Sequence, residues 1–175
     1  GELGVLDLDG GGRWTIYSRH ARRGLAWSPD SALLAFIEQF PDDRPALWLL
    51  DPQKGRLEEP LIQDPSWKAD PIWLSARRLA YLSDRNAEDI NVWTATVGSG
   101  SAQPLLLLDR SEDISRLWSG PGGDSMIYQS IEDGATQLWW WWATTDRPVP
   151  LTRDLAGLSV EDRAVAFSPD GLRMA

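Results

Sequence analysis

The segment LAWSPDSALLAFIEQ, residues 25–39, joins a tryptophan to a Ser-Pro-Asp turn and then to an apolar run. Three later segments repeat this order with variations: PIWLSARRLAYLSDR from residue 71, RLWSGPGGDSMIYQS from 116 and AVAFSPDGLRMA from 164. Their aromatic anchors are Trp27, Trp73, Trp118 and Phe167, spaced 46, 45 and 49 residues apart. This near-constant period indicates a repeat architecture with units of about 45 residues.

The interior of each unit repeats as well. A second apolar run begins seven to nine residues after each anchor, and a third is centred on Trp48, Trp93 and Trp139. A fourth lies in the segments RLEEPLIQ, AQPLLLLD and PVPLT. Turn-forming residues separate these runs, and no segment keeps a helical period. Four short strands in each unit predict an all-β fold, a β-propeller of four-stranded antiparallel blades.

The two ends of the chain match incomplete units, so we expect one propeller region over residues 1–175 with about three complete blades and two partial ones. The expected segments are 1–18 (outer strands of a partial blade), 19–64, 65–109 and 110–159 (complete blades), and 160–175 (inner strands of a partial blade). Either the partial blades join to close a four-bladed ring, or the chain is a fragment of a longer propeller, which we favour. Open sheet edges at both ends predict edge-to-edge self-association.

Composition narrows the function classes. The net charge of −9 argues against nucleic-acid binding, which needs a basic face. No apolar run is long enough to span a bilayer, so membrane insertion is not expected. The chain has no cysteine and a single histidine, His20, so thiol chemistry and a complete Ser-His-Asp triad are not expected. The GSGSA segment at 98–102 lacks the G-x-S-x-G order, and LDGGGR at 8–13 is predicted to be a turn between strands.

Acidic pairs recur in the loops that a propeller would gather on one face. The loop between the second and third strands carries a pair in each complete blade, and the loop entering a blade carries one in two further places. The ten residues are Asp42, Asp43, Glu88, Asp89, Glu132, Asp133, Glu112, Asp113, Glu161 and Asp162. They form a candidate partner-binding surface, and the alternative is that acidic residues only solvate these turns. No metal site or other cofactor is expected; Ca²⁺ is a weak alternative because no loop has a calcium-binding spacing.

Other recurrent residues are predicted to be structural. The anchors should lie in the core and pack against the neighbouring blade. Pro and Asp should shape the turn that follows, and Asp84-Arg85 should tie a strand exit to a nearby turn. These residues are Trp27, Pro29, Asp30, Trp73, Asp84, Arg85, Trp118, Phe167, Pro169, Asp170 and Gly171. The run Trp139–Trp142 falls on a third strand, where side chains alternate between two covered faces. We therefore predict that these tryptophans fill the gaps between blades, with Trp142 the most exposed of the four.

The segments AWSPDSALLAFIE, LAYLSDRNAEDINVW and VAFSPDGLRMA resemble the WD-like repeat of TolB-type β-propellers. The resemblance covers nearly the whole chain, although the second copy has Ser-Ala-Arg-Arg in place of the Pro-Asp-Gly turn. It implies a bacterial, often periplasmic or otherwise extracytoplasmic, propeller that serves as an interaction platform or as the gate of a larger peptidase. It implies no catalytic residues within the propeller itself.

The sequence thus predicts a non-catalytic interaction or scaffold propeller that binds a protein or peptide partner through loops on one face. The alternative is the substrate-gating propeller of a serine peptidase whose α/β-hydrolase domain lies outside this chain. A sugar-directed propeller enzyme is a third hypothesis, because the spatial separation of carboxylates cannot be obtained from sequence.

Overall fold

The computed structural model describes residues 3–6, 8–9, 13–16, 21–38, 45–56, 59–85, 89–98, 100–110, 114–132, 134–152, 165–168 and 170–175. All regular elements in these ranges are β-strands. They are β1 (Leu3–Leu6), β2 (Arg13–Ile16), β3 (Ala21–Trp27), β4 (Leu34–Glu38), β5 (Ala46–Asp51), β6 (Gly55–Arg56), β7 (Ile62–Gln63), β8 (Lys68–Ser75), β9 (Arg78–Ser83), β10 (Asn91–Thr96), β11 (Leu105–Leu108), β12 (Ile114–Ser119), β13 (Ser125–Glu132), β14 (Ala135–Trp142) and β15 (Val149–Pro150). Within the described ranges, a membrane-spanning apolar helix is absent.

The strands form three antiparallel blades and two smaller pairs. Blade 1 contains β3, β4 and β5 with an outer strand split into β6 and β7; blade 2 contains β8 to β11, and blade 3 contains β12 to β15. Before blade 1, β1 pairs with β2, and after blade 3 an isolated bridge joins Phe167 to Met174. Among the innermost strands, β8 contacts both β3 and β12. The predicted all-β propeller with partial blades is therefore confirmed.

The core consists of three layers, each lying between neighbouring sheets. One layer joins β1 to blade 1, a second joins blades 1 and 2, and a third joins blades 2 and 3. Alternate residues of one strand enter different layers: Leu79 and Tyr81 face blade 1, whereas Ala80 and Leu82 face blade 3. Both faces of blade 2 are covered by neighbouring blades, which explains why β8, β9 and β10 are buried at almost every position and show no strict alternation of apolar and polar residues.

A cross-strand aromatic pair occupies the same place in each blade. The register sets Phe36 opposite Trp48, Tyr81 opposite Trp93, and Tyr128 opposite Trp139, and all six side chains are buried. In blade 3 the two rings are nearly parallel, with centroids 6.1 Å apart and planes inclined by 6°. Such pairs stabilise a sheet beyond their buried area, by about 1 kcal/mol each. The third-strand tryptophans are therefore packing residues of the repeat.

The Ser-Pro-Asp turns close through side-chain hydrogen bonds. The Ser28 hydroxyl donates to Asp30 Oδ1 at 2.5 Å, the Ala32 N–H donates to the same oxygen at 3.2 Å, and the Leu33 N–H donates to Ser28 Oγ at 2.9 Å. The bond from Ser28, and then that from Ala32, holds the pKa of Asp30 below its ordinary value.

The last copy of the repeat has the same turn. The Ser168 hydroxyl donates to Asp170 Oδ1 at 2.5 Å, the Leu172 N–H donates to it at 3.0 Å, and the Arg173 N–H donates to Ser168 Oγ at 3.0 Å. The following residue has a positive φ in both turns, 57° at Ser31 and 69° at Gly171. Glycine adopts this conformation without a steric penalty, whereas serine does not.

Replacing Ser31 by glycine should therefore stabilise the protein. Relief of the left-handed strain outweighs the entropy that glycine loses on folding, and we expect a gain of about 0.5–1 kcal/mol. Chemical denaturation of the variant measures the gain. Gly171→Ala is the matched control and should be destabilising, because an added Cβ would lie 2.8 Å from Pro121 Cβ. A Ser31→Gly variant less stable than the original chain would contradict this account of the turn.

The anchors do not all lie in the core as predicted. Trp73 is buried, and its indole N–H donates to the Ala26 carbonyl of the neighbouring inner strand at 2.9 Å. Trp118 is half-buried, however, and 46% of Trp27 is exposed. The prediction of a core position was wrong for Trp27. Trp73 is covered by β3, whereas the described residues contain no inner strand on the other side of β3 to cover Trp27 in the same way.

Candidate functional site

An axial cavity of about 380 Å³ lies where the three inner strands meet. Its walls are residues 24–27 of β3, 70–72 of β8 and 116–119 of β12. Inner strands of a propeller surround its central channel, so this cavity belongs to the channel wall. A concave surface to which three blades contribute is a natural place for a ligand or a partner segment to bind.

A bulge interrupts each inner strand beside this cavity. The pairing register shifts between Arg23 and Leu25, between Ala69 and Ile72, and between Ile114 and Arg116. Bulges redirect the side chains of a strand and are frequent beside functional sites. Each of these shifts begins four residues before the anchor of its strand, so the irregularity is itself part of the repeat.

Two bulged residues have a positive φ, 62° at Gly24 and 45° at Asp70. Gly24 also packs against Pro71 of the next blade, where an added Cβ would lie 2.2 Å from Pro71 Cδ. Glycine is thus required at residue 24 by both conformation and space. Asp70 keeps a side chain in this unfavourable conformation, and the conformation brings its carboxylate to blade 3.

The carboxylate of Asp70 links blades 2 and 3 at the cavity. Its Oδ2 accepts a hydrogen bond from the Leu117 N–H at 3.4 Å and lies 3.9 Å from Arg116 Nη1. The Arg116 side chain is 39% exposed. Leu25 and Trp27 on the opposite wall are 61% and 46% exposed. The cavity therefore combines apolar and aromatic surface with groups of both charges.

The described part of the cavity wall carries few ionisable side chains. Within the described ranges, no cluster of three or more His, Asp or Glu side chains is arranged to hold a metal ion. His20 lies outside the described residues, so its predicted loop position is untested. The cavity wall supplies one carboxylate, already bonded to its neighbours, and one guanidinium. A peptide could use these groups together with the exposed Trp27 ring, since Trp and Arg are the residues most often responsible for binding energy at interfaces.

A second polar cluster lies at the rim, where blade 1 leads into blade 2. The Lys68 ammonium is fully buried and donates to Asp64 Oδ1 at 2.7 Å, to the Ser66 carbonyl at 2.8 Å and to the Asp64 carbonyl at 3.2 Å. Arg85 donates to the other carboxylate oxygen of Asp64. Burial lowers the pKa of Lys68, although Asp64 opposes that effect. We refer to Lys68, Asp64, Ser66 and Arg85 together as the rim network.

The Asp84-Arg85 pair joins the end of β9 to this turn. Asp84 Oδ1 accepts a hydrogen bond from the Trp67 N–H at 2.7 Å, and Arg85 binds Asp64 on the same loop. Arg85 also lies over the ring of Trp93, with its guanidinium carbon 5.7 Å from the ring centroid, and Arg110 lies over Trp139 at 4.6 Å. Arginine thus caps the third-strand tryptophan in blades 2 and 3, each time from a different loop.

A groove of about 420 Å³ runs beside the rim network, between the outer parts of blades 1 and 2. Residues 59–64 form one wall, and Arg85 with residues 101–104 forms the other. The Ala102 N–H donates to the Leu61 carbonyl at 2.8 Å, which holds the two walls together. The rim network thus fixes one end of this groove.

Most of the predicted acidic surface lies outside the described residues, which hold two of the ten positions. Asp89 is half-buried just before β10, and Glu132 is the last residue of β13. The remaining residues are Asp42, Asp43, Glu88, Glu112, Asp113, Asp133, Glu161 and Asp162. Pro169, one of the predicted turn residues, also lies outside. The clustering of the acidic side chains therefore stays a prediction.

The four consecutive tryptophans divide between the two faces of β14. Trp139 and Trp141 are buried between blades 2 and 3, and their indole N–H groups donate to Ser130 Oγ at 3.0 Å and to Asp146 Oδ1 at 3.1 Å. Trp140 and Trp142 are half-buried on the other face, stacked with centroids 4.3 Å apart. Trp140 also contacts the Phe167 ring at 6.2 Å. The run packs both faces of β14, and no ligand site is needed to explain it.

Sequence reasoning missed the charged residues that the fold brings together. Asp70 and Arg116 lie in different blades, and Asp64 and Lys68 in a loop and a strand, with no local motif to connect them. One signal was present: Pro71 lies inside a predicted strand, where proline interrupts strand hydrogen bonding and often marks a bulge.

No protein-family model and no curated protein matches the sequence. Solved structures do match the fold. TolB from Acinetobacter baumannii is similar with a TM-score of 0.71 and 21% identity over 99% of this chain and 42% of that one. An oligogalacturonate lyase from Vibrio parahaemolyticus is similar with a TM-score of 0.73 and 15% identity over 99% of this chain and 52% of that one.

A puromycin-hydrolyzing peptidase from Mycobacterium tuberculosis is also similar, with a TM-score of 0.61 and 17% identity, over 82% of this chain and 24% of that one. The chain therefore spans about half of the TolB and lyase structures and about a quarter of the peptidase. Identities this low establish the fold alone. On that evidence, the chain has a TolB-type β-propeller fold.

Proposed function

We propose that this chain is a non-catalytic interaction or scaffold propeller that binds a protein or peptide partner. The axial cavity carries the proposal: it presents the exposed side chains of Leu25 and Trp27 on β3 and the partly exposed side chain of Arg116 on β12. A preformed surface of this kind loses little entropy when a flexible peptide binds to it. The similarity to TolB structures is consistent with an extracytoplasmic interaction platform, and we extend the proposal to that location.

The test uses a displayed library of random peptides of about 12 residues, long enough to contact all three strands. Peptides selected on the original chain should bind roughly thirtyfold more weakly to Trp27→Ala and to Arg116→Ala, as expected for residues that dominate an interface. Val149→Ala, on the outer strand of blade 3, is the control and should bind normally. Failure to select any peptide, or equal binding by all variants, would count against the axial cavity.

The acidic loops are a separate part of the proposal, since they would provide a second contact surface on one face. Neutralising the pairs Asp42-Asp43, Glu88-Asp89 and Glu132-Asp133 to amides should weaken binding of a basic partner, with less effect at high salt. Unchanged partner binding and unchanged Ca²⁺ binding in the neutralised variant would remove these loops from the proposal.

The gating propeller of a serine peptidase is the second candidate. It is favoured by the similarity to the puromycin-hydrolyzing peptidase and to an acylaminoacyl peptidase, of which this chain covers 24% and 27%. The full-length gene product would then hydrolyse a peptide substrate, and a fluorophosphonate, which reacts with the nucleophilic serine of serine hydrolases, would inhibit that hydrolysis. The third candidate, an activity on sugars, has its support in the oligogalacturonate lyase similarity.

A further inference from the structure

The outer edges of the three complete blades differ in how well they are protected. In blade 1 the outer strand is broken into β6 and β7, with Pro60 between them, and in blade 3 it is the two-residue strand β15, flanked by Pro148 and containing Pro150. Breaks and prolines within a strand hinder the addition of another strand to an edge. In blade 2 the outer strand β11 is longer, with four consecutive leucines and no proline inside it, although Pro104 precedes it and its pairing with β10 shifts register once, between Val92 and Trp93.

The side chains on β11 are also apolar and accessible. Leu105 is 66% exposed and Leu106 is 38% exposed, although successive residues of a strand face opposite ways. Neither face of this end of the strand is covered by the neighbouring blades. An exposed apolar edge is a template for pairing with another strand.

The structure holds this edge in place. The loop before β11 is fixed to blade 1 by the bond from the Ala102 N–H to the Leu61 carbonyl, at 2.8 Å. The Thr94 hydroxyl donates to the Leu105 carbonyl at 3.4 Å. An edge that is already ordered loses little conformational entropy when a second strand pairs with it.

Charge favours a second copy of the same chain as the occupant. The protein carries a net charge of −9, so two copies repel each other at most orientations, but residues 97–108 contain no charged side chain. Antiparallel pairing about a two-fold axis beside Leu106 would place Leu105 against Leu107 and Pro104 against Leu108 of the other copy. Asp109 would then face Gln103 rather than another carboxylate. The edge is self-complementary.

We propose that two copies of this chain associate through antiparallel pairing of β11, which joins their second blades into one continuous sheet. Four residues per strand bury little area, so the dimer belongs to the weak, transient class, with a dissociation constant on the order of 100 µM. Because net repulsion opposes association, added salt should strengthen the dimer, whereas it would weaken one held by salt bridges. The pairing is independent of the axial cavity and of partner binding there.

Sedimentation equilibrium of the 175-residue chain tests the proposal, at concentrations around the expected dissociation constant and at low and high salt. Leu105→Lys should raise the dissociation constant at least tenfold, because it places a charge on each copy at the paired edge. Val149→Lys, at a 46% exposed position on β15, is the matched control and should leave it within about twofold. A chain that stays monomeric, a dimer insensitive to Leu105→Lys, or one equally sensitive to Val149→Lys would overturn the proposal.

Amide hydrogen exchange tests the pairing through β11 without a variant. It therefore applies even if Leu105→Lys does not fold. Those amides of Leu105–Leu108 that do not bond to β10 should become more protected as the concentration of the original chain rises, while those of β15 do not change. Protection of β11 that is independent of concentration would overturn the proposal, whatever the oligomeric state.

Discussion

Trp141→Ala is expected to lower the free energy of unfolding by about 4 kcal/mol, because it removes a large side chain from a layer that cannot collapse around the cavity. Only 1% of Trp141 is exposed, and it lies in the layer between blades 2 and 3. Its loss would also leave Asp146 without the indole hydrogen bond, at a turn where that residue has a φ of 48°.

The control for this variant is the next residue. Trp142 is half-buried and stacks on Trp140 instead of lying between two complete blades. Trp142→Ala should therefore cost only about 1 kcal/mol. Denaturant unfolding of the two variants, followed by circular dichroism, measures the difference. Equal losses would show that the two faces of β14 are packed equally well, which would contradict the burial of Trp141 between blades 2 and 3.

The second large effect is expected in the rim network. Asp64→Asn removes the carboxylate beside the fully buried Lys68 ammonium, and an uncompensated buried charge costs about 3 kcal/mol. Replacing both residues, as Asp64→Asn with Lys68→Met, should restore at least half of that loss. Asp51→Asn is the control: its partner Lys54 is 83% exposed, so the change should cost less than about 1 kcal/mol. An Asp64→Asn variant as stable as the control would refute the buried pair.

The loss of unfolding free energy caused by Asp64→Asn should depend on pH. Burial raises the pKa of Asp64, but the bonds from Lys68 and Ser66 outweigh it and hold that pKa below 3.8. A carboxyl with a depressed folded pKa stabilises the fold above its unfolded pKa and loses this contribution as pH falls through the folded pKa. The difference in unfolding free energy between the original chain and Asp64→Asn should therefore be constant near neutral pH and shrink below about pH 4.

At high pH the loss of unfolding free energy in Asp64→Asn should also shrink, for a different reason. Burial lowers the pKa of Lys68 from 10.5, and removal of Asp64 would lower it further. The variant loses the uncompensated charge once this ammonium deprotonates. Unfolding measured across the pH range should thus show the largest deficit between the two titrations.

Most of the fold was predictable from the sequence repeat. The anchor spacing and the strands that are apolar on both faces indicate stacked blades, and the structure has the predicted strands at Trp48, Trp93 and Trp139. The Ser-Pro-Asp turns were predictable for a local reason, because their hydrogen bonds join residues within five positions of one another. Local chemistry of this kind is encoded in a short segment.

The functional surface was less predictable because it depends on how blades are placed beside one another. Trp27 and Trp73 occupy the same position in the repeat, yet only Trp73 is covered by an inner strand among the described residues. The meeting of Asp70 with Arg116 needs a bulge in one blade and the correct register in the next. No pattern within one unit specifies such a contact.

Hydrogen exchange of the tryptophan indole groups, resolved by nitrogen-15 NMR, tests the central claim most directly: the tryptophans join blades, and Trp27 is presented at the axial cavity. The indole N–H groups of Trp73, Trp139 and Trp141 should exchange slowly, since they donate to Ala26, Ser130 and Asp146. The indole of Trp27 should exchange at a rate close to that of free tryptophan. Exchange of Trp73 as fast as that of Trp27 would contradict the account, because the Trp73 bond requires the inner strands of blades 1 and 2 to lie side by side.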